Sequence, residues 1–131
     1  MHRAGITIGS HTERHPVLTR ETGATVVAEI TGSRETLRRR LGTELQYFAY
    51  PDGAYDASVV QAVAGAGYRL AFTTCRNRDR HHRLLTIPRS LFWENSCLDA
   101  NREFSSAILS CLANGVFDLR SGCGRTHGSP A

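Results

Sequence analysis

Lysine is absent from this chain of 131 residues: all 16 of its basic residues are arginine. A nucleic-acid-binding surface ordinarily uses both, since lysine serves well as a point charge on phosphate. An all-arginine inventory reads instead as codon bias in a GC-rich genome. The arginines are also dispersed, apart from Arg38-Arg39-Arg40 and the run from Arg76 to Arg83, so the net charge of +4 is not taken as the mark of a nucleic-acid partner. Long apolar runs are missing too. None approaches the roughly 20 residues of a membrane-spanning helix. The opening Met1-His2-Arg3-Ala4-Gly5-Ile6-Thr7-Ile8 is too short and too interrupted by Gly and Thr to be a signal peptide, and the sequence assigns no location. Cysteine occurs only at Cys75, Cys97, Cys111 and Cys123, with no C-x-x-C pair, which excludes a zinc ribbon or knuckle. The even count permits disulfides, but a chain of this length builds a core without staples, so reduced and mostly buried cysteines are expected. A zinc module on Cys75, His81, His82 and Cys97 fits no trusted ligand spacing.

What is present is ordinary for one globular domain: 40% hydrophobic and 21% charged residues. Gly5 to Ser10 alternates apolar and small residues and predicts a short strand. His11-Thr12-Glu13-Arg14-His15-Pro16 follows as a turn, because Pro16 disfavours helical geometry at His15. Thr25 to Leu41 predicts a helix, with Val27, Ile30, Leu37 and Leu41 on one face, weakened at Gly32 and closed by Gly42. A strand over Leu45 to Tyr50 leads to the turn Pro51-Asp52-Gly53. A second helix over Asp56 to Ala66 is capped by Asp56 and buried through Val59, Val60 and Val63. A strand over Arg69 to Thr74, a polar loop from Cys75 to Arg83 and an extended Leu84 to Pro88 come next. A last helix spans Leu98 to Leu112, buried through Phe104, Ile108 and Leu112 and stopped by Asn114-Gly115. This alternation implies a parallel sheet covered by helices, with its site at the C-terminal ends of the strands. There stand the two unusual features, the His11/His15 pair and Pro51-Asp52-Gly53. Neutral imidazole is the commonest protein ligand of divalent metals, yet an H-x-x-x-H pair alone is more often two surface imidazoles.

Ala4-Gly5-Ile6-Thr7-Ile8-Gly9-Ser10-His11-Thr12-Glu13-Arg14-His15-Pro16 resembles the second motif of the polysaccharide deacetylases, the NodB-type carbohydrate esterases. Phe48-Ala49-Tyr50-Pro51-Asp52-Gly53-Ala54-Tyr55-Asp56 resembles their third. Ala64 to Thr74 is similar to the segment that follows, and Leu85-Thr86-Ile87-Pro88-Arg89 to the next. Four segments in order are far more specific than one, and together they cover roughly residues 1–92. The resemblance implies an α/β fold, a distorted and incomplete (β/α) barrel that here lacks its N-terminal strands. Residues 1–120 would form this partial domain and 121–131 a disordered Gly/Ser-rich tail. It implies hydrolysis of N-acetyl, or O-acetyl, groups on a sugar polymer, with a divalent metal, typically zinc. By the same resemblance His11 and His15 are metal ligands and Thr12 steadies their loop. The backbone N–H of Asp52 holds the oxyanion, while Tyr50, Pro51 and Gly53 meet the substrate. Arg89 replaces an arginine that many members carry where this chain has Ala49. Family members are often exported or attached to the cell envelope.

One expected feature is missing. The family's first motif, a strand end with paired aspartates, supplies the general base and the third metal ligand. Here Asp stands at Asp52, Asp56, Asp79, Asp99 and Asp118, and none of these matches. His81, His82 and His127 read as surface histidines rather than as the family's general acid. A truncated, weakly active or inactive deacetylase is therefore expected. The alternative is a remnant that binds a glycan or partner without catalysis. An unpaired sheet edge would favour self-association. Tyr50, Tyr55, Phe48 and Trp93 are aromatic enough to line a sugar groove, but at strand positions such residues are more often core.

Overall fold

The computed structural model describes residues 4–116 of the chain, so the tail expected at 121–131, His127 and Cys123 lie outside the described residues. Three parallel strands form one sheet in the order β1 (Tyr47–Ala49), β2 (Leu70–Thr73), β3 (Ile87–Pro88). Helix α1 (Gly23–Leu41) precedes β1, α2 (Ala57–Gly65) links β1 to β2, and α3 (Ser106–Ala113) follows β3. Among the described residues no helix is long and apolar enough to cross a membrane.

Local chemistry sets the helix ends. Thr22 caps α1, its Oγ1 accepting the Thr25 N–H at 3.3 Å, so the helix starts two residues before the predicted Thr25. Gly42 ends it in the left-handed region at φ 66°, which glycine adopts without strain. The buried stripe is Val26, Ile30 and Ser33, with Leu37 packed beside it; Val27, predicted inside, is exposed. The stripe runs at i, i+4, i+7 and i+11 from Val26, and Val27 is one residue out of phase. On α2 the expected cap and core hold: Asp56 Oδ1 accepts the Val59 N–H at 2.9 Å, and Val59, Val60 and Val63 are buried. These valines and the α1 stripe meet Leu18, Leu45, Phe48, Tyr50, Tyr55 and Tyr68 in one core.

Three predicted elements come out shorter. Residues 5–9 form no strand; pairing begins at Ser10, whose N–H donates to Tyr47 O at 2.8 Å and whose carbonyl accepts from Ala49 N at 2.9 Å. Gly5, at the start of this stretch, lies in the left-handed region at φ 82°. Arg83–Leu85 is a 3-10 turn, leaving only Ile87–Pro88 extended. The last helix begins at Ser106 rather than Leu98. Asp99 Oδ1 takes the N–H groups of Asn101 and Glu103, Leu98 pairs antiparallel with Phe104, and Ser105 caps the helix. That turn leaves Phe104 exposed, and no residue of α3 is buried. Cys97 and Cys111 are free, as expected, whereas Cys75 is disulfide-bonded, against expectation.

Candidate functional site

Register in a parallel sheet decides which loops stand together. Ser10 pairs with Phe48 on the open side of β1, Ala49 pairs with Phe72, and Thr73 pairs with Pro88. His11, the turn after β1, Thr74 and Arg89 therefore emerge side by side at one C-terminal rim. The sequence placed the His pair and Pro51-Asp52-Gly53 there, and the structure brings them together.

His11 is the best-defined member. Its Nδ1 lies 2.6 Å from Ala49 O. A carbonyl only accepts, so Nδ1 carries a proton, and in the neutral ring Nε2 keeps its lone pair. Burial holds the His11 pKa below the ordinary histidine value, against the backbone bond to Ala49, with His15 and Arg89 adding to the lowering and Asp52 opposing it. The lowering favours the neutral ring, the state that ligates a metal. The His15 ring meets it edge-on, centroids 4.7 Å apart. Thr12 braces the loop between them: its hydroxyl donates to His11 O at 2.5 Å and accepts the His15 N–H at 3.0 Å. Both Thr12 (φ 66°) and His15 (φ 60°) sit in the left-handed region, costly for residues other than glycine.

The turn after β1 also enters the left-handed region, with strain at Asp52 (φ 54°) and none at Gly53 (φ 71°). Gly53 is obligatory, because a Cβ there would collide with Thr74. The Gly53 N–H is spent on Tyr50 O and the Ala54 N–H on Pro51 O. The Asp52 N–H takes no acceptor among the described residues. Two threonines hold the turn from β2: Thr73 Oγ1 donates to Gly53 O at 2.5 Å and Thr74 Oγ1 to Asp52 O at 3.2 Å.

Arg89 reaches the rim from β3, with Nη2 donating to Tyr50 O at 3.3 Å. Its Nε is buried and has no acceptor among the described residues. A cavity of about 480 Å³ opens beside it, lined by Thr74, Arg76, Arg89, Leu91 and Phe92 among others. The expectation for Tyr50 needs correction. Its ring is fully buried in the core, its hydroxyl donates to Leu85 O at 2.8 Å, and burial pushes its pKa far up, so only its carbonyl faces the rim chemistry. Pro51 and Gly53 are buried as well. Phe48 and Tyr55 are core, and Trp93 is exposed.

Sequence reasoning missed Glu29. Its carboxylate is buried on α1 and accepts the N–H groups of Glu13 (2.9 Å) and Arg14 (3.0 Å), plus Arg14 Nε at 2.6 Å. Only the observed stripe of α1, with Val26, Ile30 and Ser33 inside, shows that Glu29 lies on the inward face, where an unpaired charge is not tolerated. Among the described residues no group of three or more His, Cys, Asp or Glu side chains is arranged to hold a metal.

The molecule is an α/β domain whose polar loops gather at the C-terminal rim of a parallel sheet, where such folds bind ligands. Residues 1–71, more than half of the chain, match the family model of polysaccharide deacetylases, and the chain belongs to that family. Among solved structures it is similar to the Streptococcus pyogenes deacetylase PplD in complex with acetate, at 28% identity over 62% of this chain and 36% of that one, TM-score 0.57. It is also similar to a polysaccharide deacetylase from Bacillus cereus, at 29% identity over 66% of this chain and 28% of that one, TM-score 0.58. IcaB from Ammonifex degensii shares the fold, at 23% identity over 73% of this chain and 46% of that one, TM-score 0.62. The chain thus spans about a third of the length of the first two relatives. No curated protein matches it.

Proposed function

We propose that this chain carries part of the active site of a metal-dependent hydrolase that removes N-acetyl or O-acetyl groups from a sugar polymer. On this reading the three-stranded sheet is a portion of a distorted (β/α) barrel. The observation that carries the proposal is the His11 imidazole, with Nδ1 committed to Ala49 O and the ring packed edge-on against that of His15, centroids 4.7 Å apart. A metal-ligating histidine typically donates its other ring N–H to a carbonyl or carboxylate in this way. His11 and His15 would be two ligands of a divalent ion, zinc being the usual one for imidazole donors. When bound, such an ion lowers the pKa of water and polarises an acyl oxygen.

The other residues have separate tasks. The Asp52 N–H is an unspent donor in a rigid turn, suited to a developing oxyanion. Pro51 and Gly53 flank that N–H and shape the turn that presents it, Asp52 itself standing at φ 54° and Gly53 at φ 71°. Among the described residues the buried Nε of Arg89 has no hydrogen-bond acceptor, and a carboxylate acting as base would satisfy it. No described carboxylate completes a ligand set with the histidines. The 131-residue chain is therefore expected to bind metal weakly and to release little acetate, since a positioned acid or base alone is worth about 10²–10⁴-fold.

Zinc titration calorimetry and acetate release from N-acetylglucosamine oligomers test this. Weak zinc binding that disappears in both His11→Ala and His15→Ala, with activity restored when an Asp-bearing first motif is supplied upstream, supports it. Zinc affinity indifferent to both substitutions would sink it. Because the described residues offer no third ligand beside the histidines, a second reading is a glycan-binding domain without catalysis. Oligosaccharide binding at the rim that persists with no acetate release, even with the first motif supplied, would establish that reading.

A further inference from the structure

We propose that Glu29 is the positioning residue of the His11–His15 loop, acting on the imidazoles through the backbone between them; this rests on reading the pair as metal ligands. One carboxylate oxygen, Oε2, accepts the N–H groups of both Glu13 and Arg14, the two residues at the centre of the His-Thr-Glu-Arg-His turn. The other, Oε1, accepts Arg14 Nε. With Thr12 Oγ1 taking the His15 N–H, every N–H from Glu13 to His15 is satisfied by a side chain. The anchored amides lie between the left-handed Thr12 and His15, so the clamp holds the part of the loop that would otherwise relax.

The platform is itself fixed. On the same face of α1, one turn on, Ser33 Oγ lies 2.7 Å from Ser10 Oγ, directly before His11. Tyr68 donates its hydroxyl to Ile30 O at 3.2 Å. Helix, strand end and loop are thereby tied at residues 29, 30 and 33. The Arg14 guanidinium does not explain the burial of Glu29. The Arg14 side chain is 76% exposed while that of Glu29 is 1% exposed, and an ion pair with one member in water is worth little. The backbone amides are what a carboxylate at this position serves. Glutamine cannot replace it, because its NH2 group would face either the two amides or the guanidinium, donor against donor.

The test uses the intact chain, with Co(II) as the metal probe, and NMR. In the wild type the Glu13 and Arg14 amides should resist hydrogen exchange and a nuclear Overhauser contact should join the two imidazole rings; rapid exchange at both amides overturns the proposal outright. In Glu29→Gln both amides should exchange faster, the ring contact should vanish and Co(II) affinity should fall about tenfold or more, the usual cost of losing a group that orients a ligand. Glu29→Asp, which keeps the charge but shortens the reach, should move the same readouts the same way, and it decides the matter if the Gln variant does not fold. Arg14→Gln, which leaves both backbone bonds in place, should lose about threefold or less. Faster amide exchange with an unchanged ring contact and unchanged Co(II) affinity would make Glu29 a structural residue only. If the wild-type chain binds no Co(II) at all, the metal reading fails, and the amides and ring contact still decide the clamp.

Discussion

At the position after Asp52 a single hydrogen atom decides whether the turn exists. Gly53 combines a positive φ with a contact so close that any Cβ meets Thr74. Gly53→Ala should therefore destabilise the fold by about 1–3 kcal/mol, the range for strain at such a backbone position, as read by urea denaturation. It should also displace the Asp52 N–H, so glycan or metal affinity should fall together with stability. At Asp52 itself a left-handed φ of 54° is held by Thr74 and Thr73, whose hydroxyls pin the Asp52 carbonyl and that of the next residue, Gly53. His11 shows the same economy: one hydrogen bond to Ala49 O selects the tautomer, orients the ring and joins the loop to β1.

Among the elements, α1 and α2 do most to hold the rim. Asp56 caps α2 by taking the Val59 N–H, and Asp56→Ala should cost about 1 kcal/mol of stability by chemical denaturation. The tie between α1 and the histidine loop is electrostatic and so depends on pH. Burial alone would raise the Glu29 pKa; the bonds from the Arg14 side chain and from the Arg14 and Glu13 amides outweigh it and leave the carboxyl below the ordinary glutamate range. A carboxylate with a depressed native pKa stabilises fully above its unfolded value and loses that contribution as pH falls through the native one. The stability difference between wild type and Glu29→Gln should thus be constant near neutrality and shrink below about pH 4. A gap that widens on acidification would contradict this. Helix α3 contributes least to the core, with Ser105 capping it and no residue buried.

For the whole molecule, the apolar surface is unevenly placed. Leu91, Phe92, Trp93 and Phe104, in the segment that follows β3, are all exposed, and β3 contributes only Ile87 and Pro88 to the edge of the sheet. Exposed edges and apolar patches favour association. Sedimentation velocity should show self-association that grows with protein concentration, and Phe92→Ser with Trp93→Ser should reduce it. A monomer at every concentration, with a sharp unfolding transition, would count against an uncovered face.

The linear order of residues determined the helices that carry their own caps and stripes, the turn at Pro51-Asp52-Gly53 and the two histidines, because caps, glycines and spacing act over a few residues. Thus α2 was legible from Asp56 to Val63, and His11 and Asp52 were recognisable before their distance was known. The register of three short strands was not legible, and register is what sets His11, Asp52, Thr74 and Arg89 on one rim. Nor was the inward face of α1, where a shift of one residue exchanges Val27 for Val26. Nor was the burial of Tyr50, whose aromatic ring and hydroxyl suit a sugar groove and a core equally well until Leu85 O accepts its proton. Glu29 is the sharpest case. A glutamate on a charged helix reads as solvated, and only the packing of α1 against residues 10–14 shows that its partners are backbone amides, which carry no sequence signature because every non-proline residue has one.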